Sequence, residues 1–315
     1  MSEEKIKPVL TGSAETMLQS FYARAKYSMS KNCKFYDAKA VELVKKIDYD
    51  FSKAEKDSTM SNGVIARTIV FDELVKDFIE KNPDCTVVNI ACGLDTRFYR
   101  MDNGRITWYN VDLPETIEVR DAIYNESGRV STIGVSALDP AWAEKVTKRG
   151  KILFIIEGLS MYLTAEENAR MLSIIRDNFD NATVLLECLA KKWVNKEHTE
   201  KSIQDTGAKF VFGADTFDDL DSAAKGFRCV KNDDIVRGMT VIIPLFKPFR
   251  KLPYIHKIAQ KILISRKRDC GGKFFQEKFL KKYLTLQKCC AIMQSLKALM
   301  KTEPVSYFLR EPGAV

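Results

Sequence analysis

Three positions in this 315-residue chain combine residue type and placement in a way that could do chemistry. The apolar run Thr86–Ile90 leads into Ala91-Cys92-Gly93-Leu94-Asp95, the run 106–111 ends at Asp112, and the run 151–156 ends at Glu157. Open α/β sheets bind ligands beyond the carboxyl ends of their strands, so residues that close such runs carry information. Small residues in the first turn let backbone amides approach a ligand. The turn is not GxGxxG, because Ala91 and Thr96 stand where the first and last glycines belong. A dinucleotide pyrophosphate would lose the close approach those glycines permit. A nucleoside without phosphate tolerates the substitution, and a tight strand-to-helix turn with no ligand is an equal reading.

Asp112 is placed to accept hydrogen bonds from both hydroxyls of a ribose. Read without a ligand, it is an acid at the amino end of a helix opened by Pro114 and Glu115. Glu157 follows five apolar residues, and burying a carboxylate there demands a cationic partner. A cationic ligand or an ammonium group supplies one; so does a nearby Lys or Arg. Tyr162, five residues further on, is the candidate catalytic side chain, with core packing as the alternative. Histidine is nearly absent: His198 lies in a charged run and His256 in a basic one, so imidazole catalysis and a His-rich metal site are not expected. None of the eight cysteines forms a CxxC pair, so they read as reduced thiols and no metal centre is expected.

These residues need a scaffold that holds strand ends together. Short runs at 86–90, 106–111, 130–135, 151–156 and 182–186 alternate with segments of helical spacing at 96–101, 113–126, 141–148 and 164–179. Alternation of this kind indicates βαβ units. The expected fold is α/β, a Rossmann-like doubly wound, mostly parallel sheet with an antiparallel edge pair formed by 227–230 and 239–243. Helices are expected over 13–30, 38–47 and 63–81, the last capped by Ser61 or Asn62, with basic helices over 252–265 and 274–300. Three regions follow: an N-terminal helical cap (1–82), the core (83–250) with an insertion at about 190–214, and a basic helical C-terminal extension (251–315).

The net charge of +8 is uneven: residues 247–288 hold thirteen Lys/Arg against two acids, leaving the remainder slightly acidic. That stretch reads as a solvated helical cover or as a weak contact for anionic membranes. No nucleic-acid recognition motif accompanies it, so specific nucleic-acid binding is not expected. No stretch approaches the roughly 20 apolar residues of a membrane helix, and the start of the chain is polar, with Glu3 and Glu4. A cytoplasmic location is therefore expected.

Several strings taken together resemble the leucine carboxyl methyltransferase family, in its bacterial polyketide O-methyltransferase branch. They are Val88-Asn89-Ile90-Ala91-Cys92-Gly93-Leu94-Asp95-Thr96-Arg97, Val111-Asp112-Leu113-Pro114-Glu115, Leu138-Asp139-Pro140-Ala141-Trp142 and Glu157-Gly158-Leu159-Ser160-Met161-Tyr162-Leu163, with Leu10–Thr16 and Tyr22–Lys26 before them. The resemblance covers residues 10–265. It implies a class I methyltransferase with S-adenosyl-L-methionine as cofactor. Position by position, it implies that Arg67 holds the cofactor's carboxylate, Gly93 passes beneath it and Asp112 binds the ribose. Ser136 and Ala137 would flank the adenine, Glu157 would face the amine, and Arg24 or Lys26 would add a contact. Ala91 and Leu113 join this cofactor-binding set. Two departures stand out: Ala91-Cys92 replaces the usual Gly-Ala, and Ser136 replaces a common aspartate.

Methyl transfer from a sulfonium is an in-line displacement, in which proximity and orientation contribute roughly 7–11 kcal/mol. A carboxylate acceptor is ionised at neutral pH, since such groups titrate near about 4, and needs no general base. The scarcity of histidine fits this, so a small-molecule or peptide carboxylate is the expected acceptor. The alternatives are a non-catalytic cofactor-binding or scaffold protein and an NAD-dependent dehydrogenase, the latter disfavoured by the missing glycines and the lack of a catalytic His. Nothing in the sequence specifies an oligomeric state.

Overall fold

Helices α1 (Thr16–Ser28), α2 (Ala38–Leu43), α3 (Ser52–Lys56) and α4 (Ser58–Lys81) precede the first strand. Then β1 (Thr86–Ile90), α5 (Arg97–Met101), β2 (Thr107–Asp112), α6 (Pro114–Tyr124), β3 (Val130–Gly134), α7 (Ala141–Glu144), β4 (Ile152–Ile156), α8 (Ala165–Asn178) and β5 (Ala182–Cys188) alternate. β6 (Phe227–Asp234), α9 (Val236–Ile242), α10 (Pro253–Ile258) and β7 (Lys261–Lys267) complete the computed structural model, which describes residues 5–8, 15–148, 150–196 and 209–268. The helix expected over 274–300, His198 and residues 197–208 of the insertion lie outside the described residues.

The strands form one sheet in the order β3-β2-β1-β4-β5-β7-β6. β1 to β5 pair in parallel, and β7 runs antiparallel between β5 and β6. This is the expected doubly wound architecture. β1, β4 and β5 are buried along their whole length, as strands with helices on both faces must be. Alternate residues serve opposite layers. Val88, Phe154 and Leu186 pack with Trp142, Met171 and Phe179 on one face. Val87, Leu153 and Leu185 pack against Val70, Phe71 and Val75 of α4 on the other.

Local chemistry sets the ends of these elements. Asp57 accepts a hydrogen bond from the Met60 amide at 2.9 Å, so α4 begins at Ser58, several residues before the expected cap. Thr164 and Glu167 form a reciprocal capping box that starts α8. Pro114 opens α6, and Asn125, in the left-handed region, closes it.

Beyond β5 the structure corrects two expectations. Residues 239–243, read as a strand, belong mostly to α9. A Cβ on Gly238 would lie 2.0 Å from the carbonyl oxygen of Ala66, so α9 crosses α4 at a distance only glycine allows. Tertiary docking decides what a short apolar run cannot. Residues 252–265, read as one amphipathic helix, instead split into α10 and β7. Ile262, Leu263 and Ile264 are buried between two neighbouring strands and pair with residues of β5, and an interior strand shows no alternation to distinguish it from a helix. The sheet thus takes a strand from beyond the 83–250 span. No helix among the described residues is long and apolar enough to cross a membrane.

Candidate active site

The chain leaves β1 through two left-handed residues, Ala91 (φ 53°) and Gly93 (φ 46°). For alanine that conformation costs about 1–2 kcal/mol. The Gly93 amide donates to Asp112 Oδ2 and the Leu113 amide to Asp112 Oδ1, each at 2.8 Å. Asp112 therefore pins the β1 turn to the end of β2, and with a third hydrogen bond from the Thr116 side chain it keeps one of its four acceptor sites free. Burial raises its pKa, and the two amide bonds oppose the rise. On the other side of the turn, a Cβ on Gly93 would lie 2.9 Å from Met17 Cβ, so α1 closes against it. Arg120 Nη1 donates to the Gly93 and Asp95 carbonyls, each at 2.9 Å. Cys92, between them, is buried, and burial pushes its thiol well up, which removes it as a thiolate nucleophile.

Sheet register aligns Ile156 with Leu186, so the next residues, Glu157 and Glu187, emerge side by side. Arg67 of α4 reaches both: Nε is 2.8 Å from Glu157 Oε1, and Nη1 is 3.3 and 3.2 Å from the two Glu187 oxygens. Glu187 is fully buried and also accepts from the Gly158 amide at 2.6 Å. Burial raises its carboxyl, Arg67 opposes the rise and Glu157 adds to it. Arg97 carries the charge network onward, with Nη2 2.7 Å from Glu157, Nη1 2.6 Å from Asp95 and Nε 2.7 Å from Asp72. Arg100 links Asp72 to Asp37, and Arg24 meets Asp37 at 3.3 Å. Asp95 is driven down to about 2: burial raises it, but Arg97, first among four arginines, overcomes that. A buried network of this kind holds only when its members are paired. The cation that Glu157 requires is thus supplied by the chain's own arginines, one of the two alternatives left open by the sequence.

Two clefts meet here. The first, of about 380 Å³, is lined by Arg67, Ala91, Gly93, Asp112 and Leu113, and by Ser136, Ala137, Glu157 and Tyr162. Nine of the ten candidate residues therefore share one cleft. Lys26 does not: its ammonium binds the Glu55 carbonyl at 3.0 Å on the far side of α1. Residues two apart on a helix point about 200° from each other, so the same helix that carries Lys26 away turns Arg24 into the cleft, where it donates to the Leu94 carbonyl at 2.8 Å. The second cleft, of about 400 Å³, shares Thr16, Ser20, Arg67, Gly158 and Tyr162 with the first, and continues between Val64, Met161, Phe210 and Met239. Tyr162 stands at the junction, its ring 5.2 Å from that of Phe210.

Sequence reasoning missed Glu187, because the apolar run was closed at Leu186, one residue short. The signal was the one that identified Glu157, an acid directly after a continuous apolar run. Arg97 stood inside the first motif without a role.

Comparison with known proteins follows the same lines. The family model for leucine carboxyl methyltransferase matches residues 14–176. The chain is 31% identical over 220 residues to the tetracenomycin polyketide synthesis O-methyltransferase TcmP of Streptomyces glaucescens, covering 70% of this chain and 82% of that protein. It is 31% identical over 198 residues to the S-adenosyl-L-methionine-dependent methyltransferase dpfgK of Gibberella zeae, covering 58% of this chain and 66% of that one. In architecture it is similar to a DUF574 family protein of Streptomyces avermitilis, at 10% identity and a TM-score of 0.51, with 78% of this chain and 97% of that chain covered.

Proposed function

The chain belongs to the leucine carboxyl methyltransferase family, and from that premise we propose that it methylates the carboxylate of a small, largely apolar acid. It is an S-adenosylmethionine-dependent O-methyltransferase; the identity of the acceptor is what we infer. The first cleft fits the cofactor on chemical grounds. Asp112 offers a spare acceptor site suited to a ribose hydroxyl, and Leu113, Ala137 and Leu138 give apolar walls for a nucleobase. Arg67, Arg24 and Glu157 line its polar wall, each already held in an ion pair of the chain, so a cofactor carboxylate or ammonium would join or exchange with those pairs. When bound, the cofactor supplies a methyl group on a positively charged sulfur. The chain's task is then to hold the acceptor oxygen in line and to exclude water.

One observation carries the carboxylate reading. The second cleft opens onto the first at Arg67 and Tyr162, and among the described residues its lining contains no Asp, Glu or His. A phenol or alcohol acceptor calls for a general base, whereas a carboxylate arrives ionised. Lys196 at the far wall is a cation an anionic acceptor can meet, and Arg67 stands at the junction between Glu157 and Glu187. The remaining wall mixes apolar side chains such as Val64, Met161, Phe210 and Met239 with the uncharged polar Gln19, Ser20, Thr59 and Gln260. Tyr162, placed at the junction, orients the acceptor.

The test is to incubate the protein with methyl-labelled cofactor and a panel of aromatic and alicyclic acids beside their phenol and alcohol analogues. Labelled products that release methanol in mild base are methyl esters and support the reading. Base-stable products confined to the phenols or alcohols overturn it.

A further inference from the structure

The outer wall of the acceptor cleft has a surface that methyl transfer does not explain. Between Asp234 and Asp269 the sequence has nine Lys/Arg and not one acid. Within that span, the 3-10 turn Pro244–Lys251 and α10 form an arm along the cleft. Phe246 and Ile255 turn inward and line it. Leu245 (80% exposed), Phe249, Leu252 and Tyr254 (65% exposed) turn outward, interleaved with the exposed Lys247, Arg250 and Lys251. Trp193, another lining residue, is partly exposed and donates through Nε1 to the Ile258 carbonyl at 2.9 Å, which ties it to the arm. Lys192 sits 4.1 Å from the Trp193 ring and 5.3 Å from that of Tyr254.

We propose that this arm, with Lys192 and Trp193, docks on an anionic bilayer surface and brings the acceptor cleft against the lipid. Exposed tryptophan and tyrosine suit the headgroup level, where an apolar ring and a polar edge are both satisfied. Leucine and phenylalanine between lysines and arginines match an anionic interface, with apolar groups entering and cations meeting headgroups. Charge selects this occupant over a second copy of the same face, which would set cations against cations. Docking here would let an amphiphilic acid pass from the bilayer into the cleft carboxylate end first, towards the junction at Arg67 and Tyr162, and the binding readout stands apart from the carboxylate reading because it involves no methyl transfer.

The experiment uses the full chain and vesicles of phosphatidylcholine with or without phosphatidylserine. Co-sedimentation is expected with the anionic vesicles alone, and is expected to fall at least tenfold when salt is raised to about 0.5 M. Trp108 and Trp142 are buried, so quenching of tryptophan emission by brominated lipid reads Trp193; it is expected in the wild type and absent in Trp193→Phe. Two independent double variants are tested, Lys247→Glu with Lys251→Glu and Leu245→Ser with Phe249→Ser. None of these four residues lines either of the two clefts described, and a circular dichroism melt shows which variants fold. Each folded pair is expected to lose at least tenfold in vesicle binding, since one cation near the surface is worth about a fivefold change. Failure of the wild type to bind anionic vesicles overturns the proposal. So does unchanged binding in a folded pair, an unquenched Trp193, or light scattering that shows the arm buried in a dimer.

Discussion

Arg67 and Glu187 meet with Nη1 3.3 and 3.2 Å from the two carboxylate oxygens, while the same guanidinium lies 2.8 Å from Glu157. One cation thus spans two strand-end carboxylates where the clefts join. Arg67→Met leaves Glu187 buried without its cation, and is expected to cost about 3–5 kcal/mol of stability. Glu187→Gln keeps an acceptor for the Gly158 amide and is expected to cost less, about 1–2 kcal/mol. Urea denaturation of both variants measures the order; an Arg67→Met protein as stable as the wild type contradicts the pairing.

Asp112 gives a prediction in pH. Its pKa is raised by burial, and hydroxyl groups donate to the ionised form. Cofactor affinity is therefore expected to rise with pH through that pKa and to level off above it. Asp112→Asn is expected to weaken binding by about 1.5–3 kcal/mol and to flatten the pH dependence. Titration calorimetry across the acidic range measures both.

The turn after β1 makes opposite predictions for two neighbours. Ala91→Gly relieves a left-handed alanine and is expected to stabilise the fold by about 0.5–1 kcal/mol, after the greater freedom of glycine in the unfolded chain is subtracted. Gly93→Ala places a Cβ 2.9 Å from Met17 Cβ at a positive φ. It is expected to destabilise by about 1–3 kcal/mol and to weaken cofactor binding. Thermal melts that move in the same direction for both contradict this account of the turn.

Gly238→Ala tests the crossing of α9 on α4. A Cβ 2.0 Å from the Ala66 carbonyl cannot be accommodated by rotating a side chain, so α9 must move. The expected loss is about 3 kcal/mol. Val236 and Met239 of α9 line the second cleft, so KM for the acceptor should rise more than the cofactor Kd. Steady-state kinetics beside cofactor titration separates the two effects.

Acid stability should carry the mark of Asp95. Its pKa is held at about 2 against an ordinary 3.8, so the ionised form favours the folded state. This contribution, about 2 kcal/mol, is complete above about pH 4 and is lost as pH falls through about 2. Asp95→Asn removes it. The stability gap between wild type and variant should stay constant from about pH 7 to about 4 and narrow as pH falls from there towards about 2, and denaturation at several pH values measures it.

The parallel half of the fold was legible because buried strands advertise themselves as apolar runs closed by an acid or a small residue. Asp112, Glu157 and Gly93 were found that way, and the structure brings them to one cleft. Residues 239–243 and 252–265 were misread because each is a short apolar stretch whose state depends on its neighbours: Ala66 opposite Gly238, and β5 and β6 beside Ile262–Ile264. Lys26 and Arg24 show a finer limit. Both sit in one motif string, and the turn of α1 separates them. The ionic chain from Glu157 through Arg97 and Asp72 to Asp37 joins residues far apart in sequence, and no local pattern announces it.

The insertion of β7 between β5 and β6 has a consequence for biosynthesis. Among the described residues β6 hydrogen-bonds to no strand except β7, and β5 keeps an open edge until β7 arrives. A nascent chain can have made the entire cofactor cleft and still expose a naked hydrophobic margin until residues 261–267 clear the ribosome. Such a margin invites other strands. Premature termination shortly before Lys261 would release a molecule that holds every cofactor-cleft residue named here but lacks β7 and leaves β6 without its partner strand, a product for chaperones or proteases to intercept.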